Sequence, residues 1–307
     1  MKLKSKMERQ LNLDIPESVA EFETLIRKVL PKNIMFQIIY GKGLEFDGYR
    51  YFLPIDDASN IDWKASVRSG KILIRKYIEE RDFKIIFLVD VSENMVFGST
   101  NKLKCEYAAE LVSALAHVIL GAGDRVGFFL FNNEIIKKRD PGFGNRQFSI
   151  LAQELSDPIN YGGAWDLNKA LEEVLGRLGK DTTMVFIVSD FIRLNDSNKM
   201  NLKGLASLFE TIALIIRDPL DISFPDINKE IVLENPESRD RIVVNPHVIK
   251  YAYQIQAIEQ LNKTKNIFRD ANIDFAEFKT NVPFSLDLAN FLKERSQRRV
   301  YKKNDVH

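Results

Sequence analysis

Apolar and polar positions along this chain repeat with two different periods, and the switches between them mark out its elements. Between residues 84 and 217, short continuous apolar runs suited to buried strands take turns with stretches of helical spacing. Lys84-Ile-Ile-Phe-Leu-Val-Asp90, Val126-Gly-Phe-Phe-Leu-Phe131, Met184-Val-Phe-Ile-Val-Ser-Asp190 and Thr211-Ile-Ala-Leu-Ile-Ile216 read as strands. The spacing predicts helices over Leu103–Leu120, near Phe148–Leu155, from Leu167 to Leu178 and around Met200–Phe209, with a glycine-rich loop at Pro141–Gly144. Such alternation predicts an α/β fold: a doubly wound, mostly parallel sheet covered by helices on both faces.

The flanks read differently. Pro16–Leu30 predicts an amphipathic helix with Val19, Phe22, Leu25, Ile26 and Val29 on one face. From Ile34 to Leu53 apolar stretches alternate with glycines, which predicts a small β-rich subregion. A strand over Ile72–Tyr77 is expected to neighbour the Lys84–Asp90 strand through the short Glu79–Asp82 link. Beyond Pro219 regular signals thin out until a long helix from Pro246 to about Ala271 and a final one from Pro283 to Arg299. Three segments follow: a helical and β-rich part over 1–80, the α/β core over 81–220, and a C-terminal extension packed on it over 221–307.

Composition narrows the function classes. At 307 residues with 45% hydrophobic content the chain can build a substantial core. Its 28% charged residues cancel to a net +1, so no global field draws it to nucleic acid or an anionic membrane. Neither a secretory core nor an apolar run of membrane-spanning length is present, and a cytoplasmic location is expected. The single Cys105 lies in a helical apolar pattern and reads as a buried thiol. Phosphate-binding loops, dinucleotide fingerprints and nucleophile elbows are absent, and His117, His247 and His307 lack metal-type spacing.

Candidate chemistry sits where two apolar strands end on aspartate. In a parallel sheet the carboxyl ends of strands share one rim, the usual ligand edge of open α/β sheets, so Asp90 and Asp190 can meet there. Asp90-Val-Ser92-Glu93-Asn94 sets a carboxylate and short polar groups on a tight loop, and Asp90, Ser92, Asn94 and Asp190 could ligate a hard cation. The plainer alternative is that both aspartates cap helices and bind loop amides.

These residues, taken with Glu45-Phe46, Arg50-Tyr51, Asp56-Asp57, Ile61-Asp-Trp63, Gly123-Asp-Arg-Val-Gly127, Gly162-Gly163, Ser189-Asp-Phe191, Asp218-Pro219 and Phe291-Leu-Lys-Glu-Arg295, carry a resemblance. The chain resembles the domain-of-unknown-function 58 family, within the von Willebrand factor A-like domains, over about residues 44 to 299. The resemblance implies a metal-ion-dependent adhesion site on the rim, which holds Mg²⁺ (Ca²⁺ or Mn²⁺ as alternatives) and is completed by an acidic group of a partner. Asp90, Ser92 and Asp190 match its pattern, Asn94 replaces a second serine, and Ala164 and Trp165 stand where a ligating threonine is expected. Glu93, Trp165 and Asp166 are the candidate partner contacts, although anchoring the following helix in the core is the commoner fate of a tryptophan such as Trp165. The implied role is a non-enzymatic adaptor or co-chaperone of a MoxR-type AAA+ ATPase; the alternative is an Mg²⁺-dependent phosphohydrolase using Asp90 and Asp190.

Overall fold

The computed structural model describes residues 11–29, 45–53, 56, 61–78, 83–234 and 240–304. In chain order the described elements are α1 (Ile15–Val29), β1 (Glu45–Tyr51), α2 (Trp63–Ser69), β2 (Leu73–Ile78), β3 (Lys84–Asp90), α3 (Lys104–Gly121), β4 (Arg125–Phe131) and β5 (Ile135–Gly142). They continue with α4 (Gly144–Ser156), α5 (Leu167–Leu175), β6 (Thr182–Ser189), α6 (Lys199–Leu208), β7 (Glu210–Arg217), β8 (Ile231–Glu234), β9 (Arg241–Val244), α7 (Pro246–Asp270), β10 (Asp274–Lys279) and α8 (Phe284–Asn304).

Six strands form the central sheet in the order β10-β7-β6-β3-β4-β5. All neighbours run parallel except β5, which pairs antiparallel with β4. The continuous apolar runs are explained by burial on both faces, since alternate residues of one strand enter separate cores. Phe87, Val89, Phe128, Leu130, Phe186 and Val188 pack with α3 and Leu288 and Leu292 of α8 on one side. Ile86, Leu88, Phe129, Phe131, Val185 and Ile187 pack with α5, α6 and Phe268 of α7 on the other. Each such side chain contributes roughly 1.5–3 kcal/mol of burial free energy, so the middle of the sheet fixes the rim above it. Helix α3 is buried nearly all round because α1 and α4 cover the side turned away from the sheet.

Three expectations are corrected. Strand β2 pairs antiparallel with β1, Tyr51 opposite Leu73, and forms a separate two-stranded sheet instead of neighbouring β3. The stretch expected to be a glycine-rich loop at Pro141–Gly144 holds the end of β5 and the start of α4; β5, with Lys137, Lys138, Arg139 and Asp140 exposed, has the polar pattern of an edge strand. The sheet also runs past residue 220: β10 joins it, hydrogen-bonded to β7, so residues 221–307 supply one edge of the core sheet. Residues 34–44, within the predicted β-rich subregion, lie outside the described residues.

Because β3, β6, β7 and β10 are parallel, their carboxyl ends open on one rim. Asp90 ends β3, Asp190 follows β6, Asp218 follows β7 and Thr280 follows β10. No helix among the described residues is long and apolar enough to cross a membrane.

Candidate functional site

The rim is built from loops that bind one another. Val91 N–H donates to Phe131 O, Gly162 N–H to Val91 O and Glu93 N–H to Gly163 O, so the loop after β3 is pinned between β4 and the segment before α5. Asn132 closes the set by donating its side-chain amide to Gly162 O at 2.7 Å. Gly163 has φ +88°, and a β-carbon there would lie 2.5 Å from Asn132 Nδ2, so both backbone conformation and close approach require glycine.

Under these loops the acidic pair is sealed from solvent. Asp90 is fully buried; its Oδ1 accepts Ser92 N–H at 2.8 Å and its Oδ2 accepts Ser189 Oγ–H at 2.5 Å. Burial, reinforced by the Asp190 charge, pushes the Asp90 carboxyl up to about 7. Asp190, 2% exposed, accepts Ile192 N–H at 3.0 Å on Oδ1 and the Lys104 ammonium at 2.7 Å on Oδ2. Burial alone would raise the Asp190 carboxyl, but Lys104 beside it holds it below the ordinary carboxylate range.

Lys104 is the residue that sequence reasoning missed. It opens α3, is 2% exposed, and contacts Asp221 at 3.2 Å as well as Asp190. Burial disfavours its charge, yet the two carboxylates keep its ammonium above the usual lysine value. Phe97 covers it, with Nζ 5.6 Å from the ring centroid. A signal did exist: a lysine in a helix's first turn opposes the helix dipole, and a nearby buried anion relieves that conflict. Asp218 extends the network by accepting Ser99 N–H at 2.8 Å, Ser99 Oγ at 2.5 Å and Thr280 Oγ1 at 3.2 Å.

The other predicted site residues are placed as follows. Ser92 is buried beside Asp90. Asn94 is half-buried and Glu93 buried on the same loop. Trp165 is half-buried against the core that holds Leu167 and Leu171. Asp166 is exposed and caps α5 by accepting Lys169 N–H at 3.1 Å. Ala164 is exposed.

A resident divalent cation does not fit this donor set. Asp190 is already neutralised by Lys104, both Asp90 oxygens are taken by Ser92 N–H and Ser189 Oγ–H, and Ala164 offers a methyl where an oxygen is needed. An incoming ion would also meet the ammonium across the Asp190 carboxylate. Asp90 and Asp190 instead accept loop amides, a hydroxyl and an ammonium.

A model of the family described as "Protein of unknown function DUF58" matches residues 48–263, from β1 into α7. The chain belongs to this family. Among similar proteins, an uncharacterized protein of Mycobacterium tuberculosis strain H37Rv is 28% identical over 236 residues, covering 74% of this chain and 73% of that protein. An uncharacterized protein of Mycobacterium bovis matches to the same extent. Solved structures similar to it include BatB from Bacteroides thetaiotaomicron (10% identity, 70% of this chain and 99% of that one, TM-score 0.45). A von Willebrand factor type A protein from Catenulispora acidiphila (8% identity, 73% and 44%, TM-score 0.43) is another. Both likenesses are remote, and the fold assignment rests on the strand order and packing of the DUF58 chain itself.

Proposed function

We propose that this chain is a non-catalytic, cytoplasmic protein-interaction module that docks a protein partner on its strand-end rim. The observation that carries the reading is the inversion of polarity at the rim: the reactive groups lie buried beneath apolar, exposed loop tips. Phe97 is 38% and Ile192 36% exposed, with Gly163 and Ala164 exposed between the loops, while Asp90, Ser92, Lys104 and Asp190 are buried. A surface of small and aromatic groups over a pinned framework suits protein contact, where a few apolar anchors carry most of the binding energy. The partner proposed is a MoxR-type AAA+ ATPase, served as adaptor or co-chaperone.

The test is co-purification of a MoxR-type AAA+ ATPase with wild-type protein and with an Ile192→Glu variant, whose side chain is exposed on the rim. Release by the variant at an unchanged melting temperature is the expected result. Equal capture by both proteins would move the interface off this rim. In parallel, sustained turnover of a phosphate ester with Mg²⁺, lost in Asp90→Ala, would replace the interaction reading by the hydrolase one.

A further inference from the structure

We propose that the Lys104 ammonium is the resident cation of this rim, doing for the loop carboxylates what a divalent ion does in metal-dependent sites, so that the rim is assembled without metal. The argument rests on where the charges are placed. Lys104 Nζ lies 2.7 Å from Asp190 Oδ2 and 3.2 Å from Asp221 Oδ2, and all three side chains are at most 9% exposed. It therefore bridges the loop after β6 to the turn after β7. Asp221 in turn accepts Asp218 N–H at 2.9 Å, and Asp218 holds Ser99 of the loop that leads into α3. One ammonium thus gathers three loops from the carboxyl ends of parallel strands, with Phe97 excluding solvent above it.

The placement also specifies the kind of cation. An ammonium is a monovalent donor of three directed protons, and here it meets two carboxylates of different loops. A hard divalent ion would need several further oxygens. The rim supplies the first arrangement: Asp190 has both oxygens engaged, and Arg217, close enough to act on the Asp190 charge, adds a second positive group. The inference does not depend on which partner docks, since it concerns only the residues that build the rim.

The experiment compares the full chain with Lys104→Met and Lys104→Arg, using Mg²⁺ and Mn²⁺ as the probes. Wild-type protein is expected to show no saturable calorimetric binding of either ion and no change in melting temperature when they are added. Lys104→Met, leaving buried carboxylates unpaired, is expected to melt roughly 10 °C lower and to regain part of that loss with millimolar Mn²⁺. Lys104→Arg should keep most of the stability and stay indifferent to metal. One-site binding of Mg²⁺ or Mn²⁺ to the wild type that disappears in Asp190→Asn would overturn the proposal, even if Lys104→Met fails to fold. So would a Lys104→Met protein as stable as its parent.

Discussion

Ser189 Oγ donates to Asp90 Oδ2 across 2.5 Å, tying the carboxyl ends of β6 and β3 together beneath the rim. A buried carboxyl raised to about 7 binds more protons folded than unfolded, so it lowers stability as pH rises from about 4 to about 7. Asp90→Asn removes that slope, and Ser189 can reverse its hydroxyl to accept from the new amide. The variant is expected to be more stable than its parent at pH 8, by up to about 4 kcal/mol, with the advantage shrinking at pH 5. Denaturant unfolding at the two pH values measures this; a variant that loses ground at pH 8 contradicts it.

Gly163→Ala places a methyl against Asn132 Nδ2 in a left-handed backbone, so the latch between the loop after β3 and the segment before α5 must shift. The expected cost is about 1–3 kcal/mol. Faster hydrogen exchange at the Glu93 and Gly162 amides, with the central strands unchanged, would locate it on the rim.

Glu110 fastens α1 to α3. It is 2% exposed and accepts Asp14 N–H at 2.7 Å and Ser18 Oγ at 3.1 Å, and it pairs with Lys102. Glu110→Ala strands these donors and should cost roughly 1–3 kcal/mol. Hydrogen exchange over residues 15–29 should rise well before global unfolding; uniform destabilisation of the whole chain would argue against a local clasp.

Phe87 and Phe186 stack at 5.1 Å between ring centroids in the middle of β3 and β6. Phe87→Ala is expected to cost about 3–5 kcal/mol through the cavity it leaves. A calorimetric scan checks the value, and a loss below 1 kcal/mol would mean the core closes over the gap.

How legible all this was in the sequence differs from element to element. β3 and β6 announce themselves because burial on both faces leaves unbroken apolar runs, and α7 because a proline and a capping asparagine open it. β5 and β10 escape because edge strands are only half covered: Ile135-Ile-Lys-Lys-Arg-Asp-Pro-Gly142 and Asp274-Phe-Ala-Glu-Phe-Lys279 mix charge with apolar residues and match neither period cleanly. At the site, the two aspartates could be read from their place after strands. Of their partners only Lys104 left a trace, as a cation opening a helix; its pairing could not be read, because Lys104 and Asp221 are 117 residues apart and meet only through the order of the parallel strands.

Among the described residues, no strand pairs with the outer edge of β5. Lys137, Lys138 and Arg139 form an exposed basic run along this strand. A second molecule approaching to continue the sheet would bring its own basic row against this one, so like charges repel. Edge-to-edge growth of the sheet through β5 is therefore disfavoured by the strand's own charges.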